Sequence, residues 1–240
     1  YPISKIKIKE NSENESIIYL ELDKKFKDFD FINKLLSDYS NNLKFKIIQL
    51  YIKTDKIYII KNLKPLKEIY SGKSFVINID IFSRNNYYIS NQIYNYLNTL
   101  LIGSKNLICF GRDVIIPPNL NNNFSNITVI SHNNNILESL TGYIKIKTQF
   151  KKKEEYYLVL NKLNKDIDIT IYISSGRKGL SELFIKELSK FVNINLIVVW
   201  CVIDELIRDY QILTDYGFTL KNCNVFNEHP STNYLTSILN

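Results

Sequence analysis

The chain has 240 residues, 45% of them hydrophobic and 23% charged, with 31 Lys and Arg against 24 Asp and Glu, a formal net charge of +7 and a pI of about 9.1. That length holds one large domain or two small ones around a true core, and the basic excess admits a nucleic-acid or other polyanionic partner beside the plainer reading of a Lys-rich, AT-rich genome. Cys109, Cys201 and Cys223 are odd in number, far apart and outside any CxxC or Cys/His cluster; this argues against zinc, iron–sulfur and disulfide frameworks, so no metal is expected and an intracellular, reducing compartment is.

Residues 3–9, ISKIKIK, alternate apolar and basic as a half-buried strand does, and SIIYLELD (16–23) is a second strand. FDFINKLLSDYSNN (29–42) places apolar residues at helical spacing, and FKIIQLYIK (45–53) and KIYIIKN (56–62) are strands joined by a hairpin-like turn. Residues 1–75 therefore read as a small α+β domain with an antiparallel sheet. After SGKS (71–74) and FVINIDIFSRNN (75–86), YYISNQIYNYLNTLL (87–101) is a helix that Gly103 ends. From there buried strands alternate with helices. The strands are NLICFG (106–111), NITVISH (126–132), DITIYISSG (168–176) and NLIVVWC (195–201). The helices are GLSELFIKELSKF (179–191) and DELIRDYQILTDYG (204–217), the latter with Gly217 at its C-cap. FTLKNCNVF (218–226) and YLTSILN (234–240) suit a terminal antiparallel pair, while NNNFSN (121–126) and KKKEE (151–155) read as solvated loops. Residues 76–240 are thus α/β, a doubly wound, mostly parallel sheet. Ligands of such sheets sit at the carboxyl ends of strands, here 109–113, 131–133, 174–178 and 201–204. No apolar run is long enough to span a bilayer, and no signal peptide is evident. With no Met, the chain reads as a fragment or a processed form, and a removed presequence stays open.

At those strand ends the chain resembles the SAM-dependent RNA (uracil-5) methyltransferases. VWCVI, LIRDY, DYGF and HPSTNYLT follow the order of that family's C-terminal motifs. SSGRKGL (174–180) is similar to its DPPRKGL segment, and IDIFSRNNYYISNQIYNYL (79–97) to its strand-to-helix passage. Residues 1–75 resemble the central domain that precedes the family's catalytic domain. The resemblance implies a Rossmann-like methyltransferase sheet over 76–240 and a reaction in which a thiolate attacks uracil carbon 6, carbon 5 takes a methyl group from SAM, and a carboxylate removes the carbon 5 proton.

Carried over residue by residue, the resemblance places Cys201 at the nucleophile and Thr236 at the base, a role threonine cannot fill. Trp200, Val202 and Ile203 replace smaller or polar neighbours of the thiol, and bulky apolar neighbours raise a thiol pKa and exclude substrate. The cofactor positions read Arg84 for a glutamine, Gly111 for the glycine-rich turn, Ser131 for the ribose-binding acid and Ser174 for an aspartate, with Arg112 and Asp113 after Gly111. Arg177, Lys178 and Gly179 match the family. Arg177 and Lys178 could meet phosphate at a helix start or stand in a solvated turn, and Lys151, Lys152 and Lys153 could do likewise. Cys201 reads either as an inherited nucleophile or as a structural thiol. His132 and His229 are lone histidines, better solvated or hydrogen-bonded than metal-bound.

Three functions follow from this reading. The first is a catalytically degenerate, cofactor-free methyltransferase-like protein, bound to rRNA or tRNA as a structural part of a ribonucleoprotein complex with other proteins, in an organellar (mitochondrial) ribosome for example and away from membranes. The second is an active uracil-5 methyltransferase using SAM in a divergent pocket. The third is a protein-interaction scaffold without RNA contact.

Overall fold

In the computed structural model the chain divides into two compact units, Tyr1–Tyr87 and Tyr88–Asn240. The structure describes residues 3–23, 28–43, 46–70, 73–77, 79, 87–101, 105–111, 124–140, 146–228 and 235–240. Arg84, Arg112, Asp113, His229 and residues 121–123 of the Asn run lie outside them.

The first unit contains strands β1 (Ile3–Glu10) and β2 (Glu15–Leu22), helix α1 (Phe29–Leu43), then β3 (Lys46–Lys53), β4 (Ile57–Asn62), β5 (Leu66–Tyr70) and β6 (Lys73–Ile77). Its four-stranded sheet has the order β1-β2-β3-β4, and β5 and β6 form a separate hairpin. Asp28 starts α1 by accepting the Phe31 N–H at 3.0 Å. The β1–β2 and β3–β4 pairs are antiparallel as expected, but the central β2–β3 pair is parallel. The reason is α1, a crossover long enough to return the chain to the end where β2 began. Alternate residues of β2 are consequently buried on both faces. Ile18 and Leu20 pack with Ile32 of α1, while Ile17 packs with Leu66 and Ile77.

The second unit opens with helix α2 (Tyr87–Leu100), whose buried Ile93, Tyr94, Leu97 and Leu100 recur at helical spacing. It continues with β7 (Asn106–Gly111), β8 (Asn126–Ser131), α3 (Asn134–Ser139), β9 (Ile146–Phe150), α4 (Tyr156–Asn161), β10 (Ile169–Gly176), α5 (Glu182–Leu188), β11 (Ile194–Trp200), α6 (Ile203–Asp215), β12 (Cys223–Phe226) and β13 (Thr236–Leu239). Among the described residues these strands form one seven-stranded sheet of order β12-β13-β11-β10-β7-β8-β9. The five strands from β9 to β11 run parallel, whereas β13 is antiparallel to β11 and β12 to β13. This is the doubly wound sheet with a terminal antiparallel pair that the strand–helix alternation predicts.

Two elements depart from the sequence reading. Strand β9, IKTQF, lies on the sheet's edge, where residues 147–150 are exposed and carry little apolar signal. The KKKEE run is not simply a loop, because Lys153–Glu155 form a 3-10 turn that leads into α4. Phe110, Ile171, Ile173, Val198 and Trp200 from the sheet pack with Tyr156, Leu160, Phe184, Leu188 and Leu213 from α4, α5 and α6. Each such side chain contributes about 1.5–3 kcal/mol on leaving water.

Candidate functional site

Parallel strands place their carboxyl ends on one edge. Here that edge carries Gly111 (β7), Ser131 (β8), Phe150 (β9), Gly176 (β10) and Trp200 (β11). Because β13 runs the opposite way, its first residue, Thr236, lies on the same edge.

Strand β10 ends irregularly. Its register with β11 shifts between Ser174 and Gly176, and the Ser175 hydroxyl donates to the Val199 carbonyl at 3.0 Å. Such a bulge re-aims the chain. Gly176 and Gly179 both have positive φ, at +69° and +60°. Between them, Arg177 and Lys178 stand exposed. Gly179 is there because nothing larger fits: an added Cβ would lie 2.2 Å from Arg208 Nη2 and 2.6 Å from Asp209 Oδ2.

Asp209 organises this turn. It is fully buried, on the inner side of α6. Its Oδ2 accepts the Leu180 N–H at 2.6 Å and the Trp200 indole N–H at 2.7 Å. Its Oδ1 accepts from Arg208 Nη2 at 2.6 Å and Nε at 3.1 Å. Arg208 in turn donates to the Lys178 carbonyl at 3.1 Å. The RKGL and LIRDY segments, 30 residues apart, are thus two halves of one latch. From the sequence the only signal for Asp209 is a carboxylate on the apolar side of a helix.

Lys153 belongs to the same assembly. Its ammonium donates to the Ser175 carbonyl at 2.6 Å and the Gly179 carbonyl at 2.8 Å, and burial holds its pKa below the ordinary value. The expectation that Lys153 faces RNA is therefore corrected: two backbone carbonyls occupy its head group. Lys152 is exposed and Lys151 half-buried beside it.

Gly111 has φ +121°, and a Cβ there would fall 2.4 Å from the Ser174 carbonyl oxygen, its partner across the ladder. Ser131 is fully buried, and its Oγ accepts the Asn133 N–H at 3.1 Å. His132 Nδ1 is hydrogen-bonded to the Tyr156 hydroxyl at 3.0 Å, and burial raises that phenol to about 12. Among the described residues no His, Cys, Asp or Glu cluster has the makings of a metal site, and no helix is long and apolar enough to cross a membrane.

Cys201 follows the last residue of β11, is half-buried and forms no disulfide. Trp200 does not crowd it, contrary to the expectation from sequence. Its indole is 1% exposed within the core and held by Asp209, on the α6 side of the sheet. Ile203, the first residue of α6, is 40% exposed. Cys109 is a different case, since it is buried and its thiol is pushed far above the usual range by that burial, which makes it inert.

The β11–β13 ladder pairs Val198 with Leu239, Val199 with Ile238 and Trp200 with Ser237. Cys201 and Thr236 are the residues of the two chain segments that come next beyond the last pair. Thr236 is buried and also pairs with Phe226 at the end of β12. Two residues after Phe226 stands Glu228, 8% exposed, whose carboxylate accepts the Thr236 hydroxyl. Sequence reading misses Glu228 because it lies 8 positions before Thr236 and outside the motif; only strand register brings the two together. The edge therefore unites Cys201, Thr236 and Glu228 at one end and Lys151, Lys152, Arg177 and Lys178 around the ends of β9 and β10.

No family model and no curated protein matches the chain. Solved structures do. Over 99% of its length the chain is similar to the Pyrococcus abyssi tRNA (uracil-54, C5)-methyltransferase in complex with S-adenosyl-L-homocysteine, with a TM-score of 0.75 at 14% identity, and it spans 59% of the length of that enzyme. It is also similar over 99% of its length to Trm5b from Pyrococcus abyssi, with a TM-score of 0.59, 8% identity and 73% of that chain covered. For P. horikoshii TYW2 in complex with MeSAdo the TM-score is 0.55 at 9% identity, with 99% of this chain and 90% of that one covered. At such identities the likeness is one of fold: this chain carries the α/β methyltransferase sheet of these proteins, preceded by a small sheet domain.

Proposed function

We propose that the chain is an RNA-binding derivative of the RNA (uracil-5) methyltransferases that serves as an RNA-bound structural component of a ribonucleoprotein complex, inside a reducing compartment such as the mitochondrion. The observation that carries this reading is Ser131. Where a ribose-binding acid would stand, a buried hydroxyl accepts a hydrogen bond from its own turn. Ser174 likewise replaces an acid with a hydroxyl. This donor set does not fit the ribose hydroxyls of SAM, which a carboxylate would have to accept. The exposed Arg177, Lys178 and Lys152, on an edge whose 176–180 turn is hydrogen-bonded to Asp209, supply cations suited to phosphate.

Calorimetry with SAM and crosslinking to rRNA and tRNA test the two halves. No heat of SAM binding is expected, and micromolar binding refutes the cofactor-free half. Crosslinking is expected, with Arg177→Glu, Lys178→Glu weakening RNA binding and lowering its salt slope by about 2. An absence of crosslinks favours a protein scaffold instead. A second reading, active uracil-5 methylation, is favoured by one observation, the carboxylate of Glu228 on Thr236, at the strand position where the family would supply the base. Methyl transfer from SAM to uridine in RNA is its test.

A further inference from the structure

We propose that the helix-free face of the first unit's four-stranded sheet is a platform for single-stranded RNA, on which Tyr19 and Tyr51 stack neighbouring bases while Lys5, Lys7 and Lys53 meet the phosphates. This site goes beyond the carboxyl-edge contacts of the reading above, shares only the ligand class with them, and stands on the first unit by itself.

Strand register builds the face. Ile18 and Leu20 of β2 pack with α1, so Ile17, Tyr19 and Glu21 point to the other side of the sheet. One cross-strand row on that side runs Lys7 (β1), Tyr19 (β2), Tyr51 (β3) and Ile59 (β4). The next row runs Lys5, Glu21, Lys53 and Ile57. The β5–β6 hairpin covers the face around Ile17 and Ile48 with Leu66 and Ile77, and Tyr51 packs against that cluster. Farther along, Tyr19 and Tyr51 are half-buried, and Ile57 and Ile59 are 57% and 62% exposed. A sheet face that meets only water carries polar side chains. This one sets two aromatic rings side by side and ends in two isoleucines, the composition of a surface that something covers.

Charge and ring chemistry together select the occupant. The two rows hold three lysines, Lys5, Lys7 and Lys53, against one acid, Glu21, which Lys53 already holds at 3.1 Å. The face is therefore cationic and suits a polyanion. A duplex would use the lysines and leave the rings idle, because its bases are stacked inside it. A single strand offers phosphates and open base faces at once. Neighbouring strands lie about 4.8 Å apart, so Tyr19 and Tyr51, paired across β2 and β3, present their rings to consecutive bases. The Lys7 ammonium lies over the Tyr19 ring, 5.1 Å from its centre, so one π face of that ring is turned away from the core. A base takes that place as Lys7 turns to a phosphate, and Ile57 and Ile59 give the strand an apolar flank.

The test uses the full chain, a fluorescein-labelled oligouridylate, an RNA duplex of equal length and a 5-iodouridine version of the single strand. Wild type is expected to bind the single strand more tightly than the duplex, and ultraviolet light is expected to crosslink the iodinated strand to Tyr19 or Tyr51. Tyr19→Leu keeps apolar bulk and removes the ring; it is expected to weaken single-strand binding about 5- to 150-fold and to leave duplex binding unchanged. Tyr19→Phe keeps the ring and the affinity. Lys5→Gln and Lys7→Gln each lower the salt slope by about 0.7. Where Tyr19→Leu disturbs folding, the crosslink map of wild type decides. Equal affinities for Tyr19→Leu and wild type, or equal losses for single strand and duplex, overturn the platform. Displacement of the RNA by polyglutamate of equal charge overturns it in favour of an acidic protein partner. The double variant Arg177→Glu, Lys178→Glu separates this site from the reading above. Crosslinks to Tyr19 or Tyr51 that persist with undiminished binding in that variant leave the platform standing and remove the edge's role. Crosslinks confined to the 176–180 turn do the reverse, and failure of wild type to bind RNA at all overturns both.

Discussion

Replacing Asp209 by Ala removes a carboxylate that is fully buried and holds two buried N–H donors, the Leu180 amide at 2.6 Å and the Trp200 indole at 2.7 Å. Neither donor can turn to water, because Leu180 is 6% exposed and Trp200 1%. Stranding each is worth about 1–3 kcal/mol. The ion pair adds little, since the Arg208 side chain is 47% exposed and keeps Glu205 at 2.5 Å, and exposed pairs contribute roughly 0–1 kcal/mol. The expected loss is therefore about 3–5 kcal/mol, or roughly 6–20 °C in Tm for a unit of this size. Asp209→Asn can keep an oxygen facing both donors and is expected to lose only about 1–2 kcal/mol. The assay is urea unfolding followed by tryptophan emission, because Trp200 is the only tryptophan and sits inside the latch. A loss below about 1 kcal/mol for the Ala variant refutes the claim that Asp209 holds the 176–180 turn.

Two other substitutions test the same edge, and a third, Gly217→Ala after α6, is the control. Gly111→Ala forces a Cβ to 2.4 Å from the Ser174 carbonyl at φ +121°, whereas Gly217→Ala, at φ +86°, meets nothing within 4 Å. In urea unfolding the former is expected to lose about 2–4 kcal/mol and the latter about 1 kcal/mol, and equal losses contradict the packing argument. Lys153→Met strips a donor from the Ser175 and Gly179 carbonyls but also removes a half-buried charge, so a net loss of about 1–2 kcal/mol is expected near neutral pH. The sign of its pH dependence follows from the lowered folded-state pKa. Between that value and the ordinary 10.5 the unfolded chain binds the extra proton, so wild type gains stability as pH rises through this window. Lys153→Met lacks that gain, and parallel stability curves for the two proteins above neutral pH contradict the burial of Lys153.

Much of the fold is written in local pattern. The continuous apolar runs of β7, β10 and β11 identify strands buried on both faces, and Ile93, Leu97 and Leu100 mark the inner face of α2. Gly217 stops α6 because the left-handed turn after it suits glycine. Strand β9 escaped because an edge strand with exposed Lys147, Thr148 and Gln149 has no apolar side to announce it. The parallel β2–β3 pair escaped because strand direction depends on where α1 returns the chain, which no residue of either strand encodes.

The site divides along the same line. Sequence alone determined that a cysteine would close a buried strand and that a basic turn would follow another, since both depend on spacing within one segment. Only the tertiary structure decided what those residues do. Lys153 serves backbone carbonyls and not solvent, Trp200 belongs to the core and not to the mouth of the site, and Glu228 reaches Thr236 although the motif places no acid there. Each of those outcomes is a contact between chain segments far enough apart that sheet register and helix packing, and not local propensity, set which atoms meet.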